Sequence, residues 1–180
     1  MDLAPFTPYM GKPTPESRQA LSRQIMNPSD EMTDQIVEGL VQIIAMEGPV
    51  LSTRAFNIYS KKGGMAKVTP VAKKRFLQAV KKANDDGKVS AERDPSAEGI
   101  VYLLWLPTMA RVNVRELGGR SFDDIPASEL GDLMFEVAAE IDTDSDTAKI
   151  YQKITELYGL KQLPKNAKAR LDFIYQEYMA

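Results

Sequence analysis

A threonine and a proline at positions 69 and 70, with a glycine at 87, bracket a segment that folds well only as a helix. Threonine is a favoured N-cap. Proline fits the first helical position because its missing N–H has no partner there, and glycine after Asp85-Asp86 is a usual C-terminal stop. Placing the intervening residues 100° apart separates two faces. Ala72, Phe76, Ala79, Val80 and Ala83 gather on one side. Lys74, Gln78, Lys81 and Lys82 gather opposite, with Arg75 and Val71 at the margin and Lys73 on the other flank. Such a helix needs a core behind it and leaves lysines in front.

The charge here is out of proportion to the rest of the chain. From Lys61 to Lys88 there are nine lysines and arginines against two acids, which is +7 in a chain of formal charge −2, leaving −9 elsewhere. A local positive field attracts polyanions whatever the global charge.

The flanking segments supply the core. Thr33 is a suitable N-cap for a helix carrying Ile36, Val37, Leu40, Val41, Ile43 and Ile44 as far as about Met46, and Gly48-Pro49 stops it. A second helix starts at Ser52, buries Ala55, Phe56 and Tyr59, and frays at Lys61-Lys62 before Gly63-Gly64. After the basic helix, Val89 and Ala91 alternate with polar residues, and Ile100–Leu106 is β-prone. The intervening Asp94–Gly99 is turn-forming, so a hairpin with a long loop is expected. Helix, turn, basic helix, hairpin is the order of a winged helix-turn-helix, which commonly presents a helix to DNA.

This predicts a winged-helix domain over 33–107. Residues 1–32 hold five of the eleven prolines and read as an arm, with a short helix over Glu16–Ile25, either flexible or lying on the body. Residues 108–126 read as a connector with a strand candidate at Val112–Val114. Over 127–180, Ser128 can cap a helix bearing Leu130, Leu133, Met134, Val137 and Ala138. After an acidic break at Asp142–Asp146, a helix runs over Thr147–Tyr158, and Pro164 opens a last one with Ala167, Leu171, Ile174 and Tyr178. The two halves echo each other around Thr69-Pro70 and Leu163-Pro164. The expected fold class is mainly α with a small β-hairpin wing (α+β), as tandem winged helix-turn-helix-like units of which the second is wingless.

Cysteine and histidine are both absent. Disulfides, thiolate or imidazole metal sites, and mechanisms needing an imidazole base are thereby excluded. Gly63-Gly64 lacks phosphate-loop spacing, and Asp142, Asp144 and Asp146 lack the glycine and terminal glutamate of an EF-hand, so capping explains them better. No catalytic, metal or cofactor site is expected. There is no apolar run long enough for a membrane span and no signal peptide in Met1-Asp2-Leu3-Ala4-Pro5, so a cytoplasmic location is the default.

The residues read as a DNA surface are Lys61, Lys62 and Lys67 around the turn, and Thr69, Lys73, Lys74, Arg75, Gln78, Lys81 and Lys82 on the helix. Lysines neutralise phosphates, Thr69 sits at a helix N-terminus, and Gln78 can reach a base edge. The hairpin tip argues differently: Glu92, Asp94 and Glu98 against Arg93 would repel phosphates. The alternative is a protein-interaction module, a subunit or homo-oligomer whose basic helix meets an acidic partner.

Several short motifs add a resemblance. Ile43-Ile44-Ala45-Met46-Glu47-Gly48-Pro49-Val50 followed by Arg54, then Val114-Arg115, Ile125-Pro126, Glu129-Leu130 and Tyr158-Gly159-Leu160, resemble in order the tandem winged-helix-like C-terminal domain of bacterial superfamily 1 helicase-related proteins, some with a very-short-patch-repair-like nuclease. The resemblance implies a helicase-associated accessory domain of DNA-processing or defence proteins, with motor and nuclease chemistry elsewhere. Here it is a stand-alone chain, and no functional residue carries over from the family.

Overall fold

In the computed structural model, residues 1–143 and 145–180 are described, and they form two compact units. One unit comprises Pro8–Arg93 and Val101–Arg111. The other comprises Met1–Thr7, Asp94–Ile100 and Val112–Ala180. The protein is mainly α with a small antiparallel sheet. No helix among the described residues is long and apolar enough to cross a membrane.

The first unit contains α1 (Pro15–Met26), α2 (Asp30–Glu47), β1 (Val50–Leu51), α3 (Ser52–Lys62), α4 (Pro70–Asp85), β2 (Ser90–Arg93) and β3 (Tyr102–Trp105). The sheet order is β1-β3-β2, and Leu104 lies opposite both Val50 and Ala91. Ile36, Ile43, Ile44, Phe76 and Leu104 are fully buried. Phe76 packs between Phe56 and Tyr59 with both ring centroids 5.2 Å away, so the apolar face of α4 is held by aromatic contacts from α3.

Local signals explain most helix ends. Thr69 accepts a hydrogen bond from the Ala72 amide and Pro70 opens α4, while Gly87 takes a φ of 72° just past its end. The start of α2 lies upstream of the expected cap. Ser29 accepts from the Met32 amide, and Thr33, one turn in, donates its hydroxyl to the Ser29 carbonyl. The segment expected as an arm contains α1, with Thr14 and Ser17 forming a reciprocal cap. Its inward face is sparse, with Leu21 and Gln24 buried, and Gln24 accepts from the Tyr59 hydroxyl at 2.5 Å.

The second unit is built from α5 (Ala127–Glu140), α6 (Thr147–Leu157) and α7 (Ala167–Tyr178), preceded by a 3-10 turn at Phe122–Asp124. Leu130, Leu133, Met134, Val137, Ile150, Ile154, Leu171 and Ile174 are fully buried. Val112–Val114 form no strand; the nearby pairing is a single parallel bridge between Ala4 and Arg115. Ser128 is not the cap of α5, because the helix already begins at Ala127. The acceptor for the Ala127 amide is the carboxylate of Asp94, 2.9 Å away, from the hairpin tip. Pro164 precedes the last helix by one turn, its carbonyl accepting from the Ala167 amide.

Candidate nucleic-acid interface

Helix α4 sorts the expected surface residues unequally. Lys73, Lys74, Gln78 and Lys81 are exposed, and with Pro70 and Leu77 they line a shallow depression along the outer face. Lys61 and Lys67 are also exposed, and Thr69 is half-buried at the helix start. Thr69 accepts from the Ala72 amide, which leaves its hydroxyl hydrogen for an external acceptor such as phosphate.

Arg75 is not part of this surface. It is buried, and its guanidinium donates to the Gln24 carbonyl (3.0 Å), the Gln78 side-chain oxygen (2.8 Å) and the Thr33 hydroxyl (3.2 Å). The marginal position of Arg75 turns it towards α1 and α2, where those oxygens replace its water. Gln78 is thereby held through its oxygen from below and remains exposed.

Three of the lysines are already engaged. The Lys82 ammonium is 2.6 Å from the Asp34 carboxylate of α2; this hydrogen bond raises the Lys82 pKa and lowers that of Asp34. Lys81 lies 2.7 Å from Asp85 one turn along α4, and its pKa is raised by that hydrogen bond. Lys62 is half-buried, its ammonium 5.5 Å from the centre of the Tyr9 ring. Among the described residues, Lys61, Lys67, Lys73 and Lys74 make no ion pair, so the available charge lies towards the N-terminal half of α4 and the turn before it.

The hairpin tip is less acidic than its sequence suggests. Asp94 is buried and accepts from the Ser96 amide as well as from Ala127. Glu92 is gripped by both Nε and Nη2 of Arg111, at 2.8 and 2.7 Å, and this lowers its pKa. Glu98 stays exposed.

Two buried ionic clusters escape detection from sequence. Glu47 is fully buried; Arg54 donates to both its oxygens, and the Tyr9 amide to one. In the second unit the buried Glu129 receives Arg115 and Arg120, and the Phe6 ring covers both guanidiniums at 5.2 and 4.5 Å. Arg170 closes the same region by donating to the carbonyls of Phe122 and Ile125. Glu47, Arg54, Arg115, Ile125 and Glu129 all belong to the motifs quoted for the helicase-associated resemblance. Their common feature here is internal pairing, and the only hint in the sequence is a charge standing inside a run of apolar residues.

No group of acidic residues among those described is arranged to hold a metal ion. Asp146 caps α6 by accepting from the Lys149 amide, and Asp144 lies outside the described residues. No protein-family model matches the chain, and neither does any curated protein or solved structure.

Proposed function

We propose that this chain binds duplex DNA without catalysing a reaction, through the outer face of α4 and the turn before it. The observation that carries this reading is the stripe of Lys73, Lys74, Gln78 and Lys81, with Lys67 and Thr69 at its head, on a helix whose opposite side is fully committed to the core. The order α2, β1, α3, α4, hairpin, with β3 central in the sheet, supports a winged-helix reading in which α4 is the recognition helix. Lys67, Lys73 and Lys74 neutralise phosphates, and the outward Gln78 amide is the candidate for a base edge. The resemblance to helicase-associated domains points to an accessory factor in DNA processing, defence or transcription.

Replacing Lys67, Lys73 and Lys74 together by Glu is expected to abolish binding of random duplex in an electrophoretic shift at low salt. These side chains are exposed and make no ion pair among the described residues, so the fold should survive. With about four phosphate contacts, log K should fall against log salt with a slope of about −3.6. Unchanged affinity in the triple variant would sink the proposal.

A further inference from the structure

Helix α5 carries an outer stripe that mirrors the one on α4. Asp132, Phe135, Glu136, Ala139 and Glu140 are all exposed and follow the i, i+3, i+4, i+7, i+8 spacing of a single helical face. Phe135 is 66% exposed, far more than an aromatic ring needs to be on a helix with a complete core on its other side. Carboxylates flank it, and the nearby Asp142 is acidic too. On α4, Pro70, Lys73, Lys74, Leu77, Gln78 and Lys81 repeat the same spacing, with the apolar positions in the depression and lysines around it.

We infer that the α4 stripe docks onto the α5 stripe of a second copy of this chain, with Phe135 seated in the Leu77 depression and lysines facing Asp132, Glu136 and Glu140. Charge complementarity selects the occupant. The acids and an aromatic anchor stand on one helix, the bases and an apolar recess on another, and both helices are supplied by every copy. Asp132 and Glu136, like Lys73 and Lys74, make no ion pair among the described residues. Glu140 lies 3.5 Å from Lys153 and 3.4 Å from the Met1 ammonium, both half-exposed contacts, and Lys81 is paired with Asp85 in an exposed one. Contacts of this kind exchange at little cost.

The two surfaces differ, so the contact is head-to-tail, and association grows with concentration unless a ring closes. One helix-on-helix contact sits at the small end of interface sizes, so it is weak and sensitive to salt. It also covers the lysines assigned to duplex binding. Competition between DNA and the second copy therefore rests on the proposed function, whereas self-association does not.

Sedimentation velocity on the full chain over a range of concentrations, at about 50 mM and about 500 mM salt, tests the contact. The expected result is concentration-dependent association at low salt that is lost at high salt. Phe135→Ser should weaken it about tenfold or more, as for the truncation of an aromatic anchor, with an unchanged thermal melt because the ring is exposed. The Asp132→Lys/Glu136→Lys variant and the Lys73→Glu/Lys74→Glu variant should each be monomeric alone. Mixed, they should associate, and adding Phe135→Ser to both should reverse this. A chain monomeric in every condition, or association unaffected by the α4 reversal, overturns the inference. If duplex binding is intact in the first case, the proposed function survives it; if association is present and random duplex neither binds nor dissolves it, the proposed function fails and the docking stands.

Discussion

Arg75 shows how a charge can work inward. It stands in a run of lysines, and its place on the helical wheel differs little from theirs. Its three acceptors are a main-chain carbonyl, a glutamine and a threonine from distant positions, none of which leaves a periodic signal. Arg75→Ala removes a buried donor set and strands those oxygens, so it should cost about 2–4 kcal/mol in urea unfolding. Lys74→Ala, one residue away and exposed, should stay within about 0.5 kcal/mol. Equal effects would show that Arg75 is not holding α1 and α2 to α4. Glu47 teaches the same lesson from the acidic side. Glu47→Gln keeps the shape but removes the charge of a fully buried carboxylate held by the half-buried Arg54, and should cost about 3–5 kcal/mol in the same measurement. Charges are ordinarily solvated, so a pattern that sorts residues by polarity places both side chains on the surface. The hydrophobic positions around them, Ile36 to Ile44 and Ala72 to Ala83, were legible because their spacing is fixed by the helix alone.

At the scale of elements, the existence of the helices was the most legible information, their caps were legible at α4, and long-range polar contact was the least legible. The start of α4 follows from Thr69-Pro70, since both residues act through their own backbone. The cap of α5 does not follow from its neighbours, because Asp94 reaches it from the hairpin tip. The helix of α1 was legible over Glu16–Ile25, but its place on the core was not, because its buried face is made largely of one leucine and one glutamine. Two interior glycines separate local from tertiary effects. A Cβ at Gly39 of α2 would meet the Tyr59 ring, and one at Gly131 of α5 would meet the Tyr178 ring. Alanine in a helix interior gains about 1 kcal/mol over glycine by propensity. Tyr59 is buried and its hydroxyl is bonded to Gln24, so it cannot yield, whereas Tyr178 is partly exposed near the chain end. Gly39→Ala should therefore lower the melting temperature clearly, and Gly131→Ala, whose Cβ meets the root of the Tyr178 side chain, should lower it less; the reverse order would refute this account. The Asp34–Lys82 bridge between α2 and α4 gives a pH dependence. The Asp34 pKa lies below 3.8 in the folded chain, so its contribution is complete above about pH 5 and lost as pH falls through the folded value. Lys82 lies above 10.5, so its contribution is present below that value and lost as pH rises through the folded one. Asp34→Asn should flatten the acid limb of a stability-against-pH curve and leave the region from pH 6 to 9 parallel to that of the parent, where no histidine titrates.

The whole molecule holds two hydrophobic cores, yet its chain does not pass once from one to the other. Residues 1–7, 94–100 and 112–180 belong to one unit, and 8–93 with 101–111 to the other, so the polypeptide crosses between them four times. Sequence reasoning separates domains by linkers and composition, and it has no means of seeing a hairpin whose strands serve one core while its tip serves the other. Asp94 at that tip caps α5, and Ser96 accepts from Arg170 at 3.0 Å, so the loop closing β2 and β3 is ordered by the helical unit. Fixing a loop elsewhere reduces the entropy that strand pairing must overcome. Loss of the helical core should thus release the hairpin as well. The single tryptophan, Trp105, lies in β3 opposite Ser90 and reports on the sheet alone, whereas far-ultraviolet circular dichroism reports on every helix. Ile154→Ala empties a fully buried position in α6 and should cost about 2–5 kcal/mol. If the interleaved chain couples the cores, the fluorescence and dichroism transitions of the parent coincide in urea, and in Ile154→Ala both move to lower denaturant together. A dichroism transition that moves while the Trp105 transition stays in place would show two cores that unfold separately despite the shared hairpin.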